Sequence, residues 1–167
     1  MFKTFFLMVA IFFTRSALAM ELYSTAFFHN GDIPIQYTCD GQNISPDLSW
    51  SDIPKGTQSF ALIFDDPDAL RGTWTHWVLY NLPSTANSLQ EDIQILPSGT
   101  QVGTNSWNKK AYGGPCPPYG EHRFIFKLYA LDTVLDVDPH MTSDALQQVM
   151  KGHVLAESTL LGRYTRK

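Results

Sequence analysis

Ser59 to Asp65 reads SFALIFD, and two further runs share its weight of large side chains: Thr73 to Leu82 (TWTHWVLYNL) and His122 to Leu131 (HRFIFKLYAL). The first is almost continuously apolar, the pattern of a strand buried on both faces. The second is rich in aromatic and β-branched residues and closes at Pro83, which has no N–H to give to a ladder. In the third, Phe124, Phe126, Leu128 and Ala130 fall on one side with His122 in phase. Arg123, Ile125, Lys127 and Tyr129 make the other side, which is only partly polar. Together these runs predict the central strands of a mainly β protein. Outward from them, Leu146, Val149, Met150 and His153 recur at helical spacing within Ser143 to Val154. Thr142 or Ser143 caps that helix, and Asp144 sits in its first turn. Glu157 to Tyr164 reads as a last strand, and Met20-Glu21-Leu22 opens a first one. Tyr37 to Leu48 and Pro97 to Gly120 are long and irregular; inside a compact domain such pieces are functional or conceal strands.

The chain has 167 residues, 44% of them hydrophobic and 17% charged, enough for one domain whose core needs no metal or disulfide scaffold. Sixteen acidic against twelve basic side chains give −4, the wrong sign for a nucleic-acid partner, which requires a basic face. Residues 1–19 have the three-part layout of a secretory signal peptide: Lys3, the apolar run Phe5 to Phe13, then Ala17-Leu18-Ala19 before Met20. The apolar run is too short to cross a bilayer. Cleavage leaves 20–167 as a single domain, periplasmic or secreted, without Lys3 and Arg15 and so more acidic still. If Met20 is instead the true start, the same domain is cytoplasmic. An acidic chain without a basic amphipathic helix predicts no stable membrane insertion.

Ionisable groups concentrate in two segments. Asp65-Asp66-Pro67-Asp68 places three carboxylates in four positions, which repel unless a cation, a proton or backbone N–H groups answer them. Pro67 and its acidic flanks also make a good turn, the simpler reading of the triplet. His76 follows inside an aromatic strand, where a satisfied core histidine is the ordinary expectation. The second segment runs from Gly113 to Arg123 (GGPCPPYGEHR): paired glycines permit close backbone approach, prolines stiffen the loop, and His122 opens the next strand. Glycine amides beside one or two protonated histidines suit a small anion. Trp74, two residues from His76 on the same side of its strand, is the aromatic chosen for the pocket mouth. No metal is expected, because His76, His122, Asp66 and Asp68 follow no helical or finger spacing. No Gly-x-Ser-x-Gly elbow is present. Cys116 lies six residues before His122, which leaves a Cys–His pair open, although flanking prolines favour an inert or bonded thiol. An oxidising compartment invites a Cys39–Cys116 disulfide; whether their Cα atoms come within about 7 Å is not set by sequence spacing.

Asp66-Pro67-Asp68-Ala69 with Trp74-Thr75-His76-Trp77, then Gly113-Gly114-Pro115-Cys116-Pro117-Pro118 with Gly120 and His122-Arg123-Phe124, resemble the phosphatidylethanolamine-binding protein family, in particular its bacterial, Raf-kinase-inhibitor-like branch. Tyr37 to Gly41, Asn43 to Pro46, Leu48 to Trp50 and Lys151 to Glu157 extend the likeness from about Leu22 to Tyr164. The resemblance implies a large antiparallel sheet packed on a smaller one, with a helix near the C-terminus. It also implies a cavity for phosphate, acetate or a phosphoethanolamine head group. There, Asp66 and His76 form one wall, backbone groups of Gly114 and Pro115 another, His122 closes the site, and Asp68 supports the turn or rim. An aspartate beside a histidine favours the imidazolium, which explains an anion site without Arg. Phe124 departs from the tyrosine of many relatives, and Asn105 to Tyr112 is short. The expectation is a non-enzymatic binding protein without cofactor, taking a small anionic ligand and modulating an unknown protein partner. Two alternatives stand beside it: a hydrolase or other enzyme using Asp66, His76 and His122, and an interaction or inhibitor module using the cavity rim.

Overall fold

The computed structural model describes residues 19–137 and 139–166; the expected signal peptide falls almost wholly outside them. The three runs that led the sequence reading become β4 (Ser59–Asp66), β5 (Trp74–Pro83) and β8 (Glu121–Leu131). All eight residues of β4 are buried, because it is the one strand with β5 on one side, β8 on the other and packing on both faces. The complete order is β1 (Glu21–Tyr23), β2 (Gly31–Asp32), β3 (Leu48–Ser51), β4, β5, β6 (Ser88–Leu89), β7 (Gln101–Val102), β8, α1 (Ser143–Val149) and β9 (Val154–Thr165). A six-stranded sheet runs β2-β9-β8-β4-β5-β7, and a three-stranded sheet runs β1-β3-β6.

The inner face of the large sheet buries Phe60, Leu62, Phe64, Phe124, Phe126 and Leu128 against Leu22, Leu48, Trp50 and Leu89 of the small sheet. Its outer face buries Ala61, Ile63, Val78, Tyr80 and Leu131 under Leu146 and Met150 at α1. Alternation along β4 thus feeds two cores from one strand, and a sequence that must do so shows no polar side.

Two details refine the expected fold. The large sheet is not wholly antiparallel: β2 pairs with β9 in parallel, Gly31 opposite Gly162, because the chain leaving the small sheet joins that edge in the direction of β9. The helix stops at Val149 rather than Val154, since Gly152 takes φ 85° and the chain re-enters the sheet at Val154. Thr142 is the cap, accepting from the Ala145 amide. The stretch from Pro97 to Gly120 conceals β7, and that from Tyr37 to Leu48 ends where β3 begins; a two-residue strand such as β7 is too short to show a period.

Candidate functional site

β5 carries one residue more than β4 between two pairings: Phe64 faces Trp77, but Asp65 faces Thr75, so His76 is the extra residue of a β-bulge. The bulge reverses the phase of the strand. Val78 and Tyr80 lie in the outer core while Trp77 and Leu79 lie in the inner one, yet His76, of even number, packs on the inner-face rings Phe64 and Phe124. Its imidazole is further flanked by Trp107, whose ring is 5.0 Å away and nearly perpendicular. Asn105 sets Trp107 in place by accepting from the amides of Trp107 and Lys109 and donating to Ala111 O.

The three carboxylates each find a partner. Asp65, on the outer face, takes Lys127 Nζ at 2.9 Å; Asp66 accepts from His122 Nδ1 at 2.7 Å; Asp68 holds Arg123 through two guanidinium bonds. Arg123 keeps the Asp68 carboxyl low, at about 2. The turn reading holds as well, since Asp66 Oδ1 accepts the Asp68 amide at 2.8 Å. The expected wall is therefore rearranged: Asp66 is bonded to His122, not His76. His76 Nδ1 instead donates to Gly113 O at 2.7 Å.

A cavity of about 320 Å3 opens at this point, lined by Asp66, His76, His122, Trp74 and Trp107. Trp74 lines it as an exposed residue, edge-on to Trp107 at 5.4 Å. Three expectations need correction. Gly114 and Pro115 do not line the cavity: the Gly114 amide donates to Asn43 Oδ1 at 2.7 Å, and Pro115 O accepts from Cys39 N. The close approach that demands glycine at 114 is to the chain at Tyr37 and Thr38, where a Cβ would lie 2.3 Å from Tyr37 O. Cys116 and Pro118 take the place given to them. Phe124 supports the site from within the core, fully buried behind both imidazoles, 5.4 Å from His76 and 6.3 Å from His122. The site does not lack arginine, because Arg71 lines it. Arg71 and Trp107 were not singled out in the sequence, and only the turn around Gly72 (φ 96°) hints at the first. Cys39 and Cys116 are joined, their Cα atoms 5.4 Å apart, so Cys116 brings a disulfide and no thiol to the cavity wall.

Burial pushes the His76 imidazole below its ordinary range; the Gly113 carbonyl and the Asp66 charge pull the other way and are outweighed. The neutral ring is therefore the form that folding favours. With the folded value depressed, its contribution to stability is present above the usual histidine range and is lost as pH falls through the folded value. In phosphate-free buffer the urea midpoint should drop between about pH 7 and about pH 5. His76→Gln should flatten that slope, and an equally steep variant would assign the acid loss to other groups.

A family model described as phosphatidylethanolamine-binding protein matches residues 23–165, which include every residue of the cavity. The chain belongs to the phosphatidylethanolamine-binding protein family. Its relatives include the UPF0098 proteins of Methanothermobacter thermautotrophicus, 49% identical over 88% of this chain and 99% of that one, and of Aquifex aeolicus, 43% identical over 92% and 93%. Among solved structures, a phosphatidylethanolamine-binding protein homologue of Chlamydia trachomatis superposes with a TM-score of 0.84 at 40% identity, covering 89% of this chain and 99% of that one. Escherichia coli YbcL, described as a new member of the mammalian family, gives 0.85 at 30% identity over 90% and 100%. The family's binding role and the two-sheet fold with its late helix accord with the mainly β architecture inferred from the sequence.

Proposed function

We propose that the cavity binds a small phosphate-bearing ligand, inorganic phosphate or a phosphomonoester head group, without turning it over. The observation that carries this reading is the pair of buried histidines with both Nδ1 atoms committed, one to Gly113 O and one to Asp66 Oδ2, each at 2.7 Å. Nε2 is then the ring nitrogen each histidine has for a ligand. Neutral His76 presents Nε2 as an acceptor, whereas Arg71, at the same cavity, presents the donors of its guanidinium. A phosphate that keeps one proton can donate to the first and accept from the second; sulfate is an acceptor only. Binding without chemistry is supported by the bonded state of Cys116, which removes the thiol nucleophile closest to His122 in sequence. The disulfide also supports an oxidising compartment, periplasmic or extracellular, as the place of action. A modulated protein partner would meet the exposed rim at Leu70, Trp74 and Tyr119.

The test is an NMR titration of the protein with phosphate, sulfate, acetate and phosphoethanolamine. Phosphate and phosphoethanolamine should shift the His76, Trp107 and His122 signals saturably, with sulfate weaker by about tenfold, one hydrogen bond's worth. Arg71→Ala should weaken phosphate by about ten- to a hundredfold, the cost of a charge-assisted bond, and His122→Ala by about tenfold, one hydrogen bond. Equal affinity for sulfate would remove the proton-donating role of the ligand. Conversion of phosphoethanolamine to free phosphate during the titration would establish a hydrolase instead.

A further inference from the structure

The outer face of the large sheet carries a second cleft, about 450 Å3 in volume, between the sheet, α1 and the segment after β7. It lies on the side opposite the histidines, because consecutive residues of β4 point to opposite faces: Asp66 serves the histidine cavity and Asp65 lines this cleft. Asp65 is 99% buried, and only one of its oxygens is satisfied, by Lys127 Nζ at 2.9 Å. Its Oδ1 has no hydrogen-bond partner among the described residues. A buried carboxylate oxygen left unpaired is costly to the fold, so a ligand that donates to it recovers part of that loss. Around it stand the hydroxyls of Thr75, Thr104 and Ser106 and the amide of Asn108, and polar surface dominates the lining.

We infer that this cleft is a second binding site, for an uncharged polyhydroxylated small molecule such as a sugar or polyol. Three features select that class. The ammonium of Lys127 beside Asp65 repels a cation. Asp65 and Asp144, both at the cleft, repel an anion. Vicinal hydroxyls can donate to Asp65 Oδ1 while accepting from Lys127, whose other N–H groups remain for a ligand, and from the threonine hydroxyls. The volume falls within the range of small-molecule sites, about 300–1,000 Å3.

The experiment is a titration of isotopically labelled protein with glycerol, ribose and myo-inositol, with methylammonium as the charged comparison, followed by amide NMR. At least one polyol should shift the Thr75, Thr104 and Asn108 amides saturably, and saturating phosphate should leave that titration unchanged. Thr104→Val keeps the shape of a half-buried position and should weaken the polyol about tenfold, one hydrogen bond. Asp65→Asn should abolish binding; should it not fold, the Thr104 variant alone decides. Absence of a saturable shift with all three polyols, or an undiminished titration in Thr104→Val, overturns the site. Methylammonium moving the same amides overturns the assignment to neutral hydroxyl ligands.

Discussion

Phe64→Ala is expected to cost about 3–5 kcal/mol, the range for a large aromatic removed from a core that cannot collapse around the gap. Phe64 is fully buried at the middle of the inner face, stacked on Phe126 at 3.8 Å and parallel to Tyr112 at 5.7 Å. The same ring touches His76, at 5.2 Å, and Phe124, at 6.2 Å, so it joins the core to the cavity. Urea denaturation followed by tryptophan fluorescence measures the loss, and phosphate titration at the same temperature measures the second effect. Weaker phosphate binding by the folded variant is expected, because His76 loses one of the three rings that fix its orientation. A loss below about 1 kcal/mol would show that Tyr112 and Phe126 close over the gap.

Removing the disulfide should be as severe. The bond between Cys39 and Cys116 spans 77 positions, and restraining a loop of that size in the unfolded chain is worth about 4 kcal/mol. Its local role differs from that of Phe64. Together with the Cys39 amide on Pro115 O at 3.1 Å, it fastens the proline loop to the turn at 38–40, and Cys116 and Pro118 of that loop form one side of the cavity. The double variant Cys39→Ser/Cys116→Ser is expected to lose about 4 kcal/mol in denaturant and to bind phosphate more weakly when folded. Unchanged affinity in that variant would show that prolines 115, 117 and 118 hold the loop unaided.

The central strands were legible because their length allows a pattern to declare itself. β4 reads as buried on both sides, and β8 shows its inner face as Phe124, Phe126 and Leu128 with His122 in phase. The ionisable side chains of the site were legible too, Asp66, His76 and His122 all reaching one cavity. Their partnership was not. Which histidine meets Asp66 depends on the pairing of β4 with β8 and on one surplus residue in β5, and both are properties of register between strands remote in sequence. Gly114 misled for a similar reason: a glycine needed for close approach does not say what approaches, and here it is the chain at Tyr37 rather than a ligand. Arg71 and Trp107 carry no local signature, since each reaches the cavity through a loop whose course is set by contacts such as those of Asn105.

The surplus residue at His76, at one of two register shifts between β4 and β5, makes the cavity a matter of counting as well as chemistry. Substitutions at 66, 76 or 122 can retune what is held, but they leave the side chain of position 76 on the inner side of the sheet. Excising Thr75 would let the ladder with β4 straighten, and His76 would then stand opposite Asp65 and turn to the outer side of the sheet. Anyone transplanting this pocket into another β framework must therefore carry the β4–β5 pair as an indivisible cassette, unequal strand lengths included. A graft of the three ionisable residues onto three regular strands would deliver His76 to the wrong side.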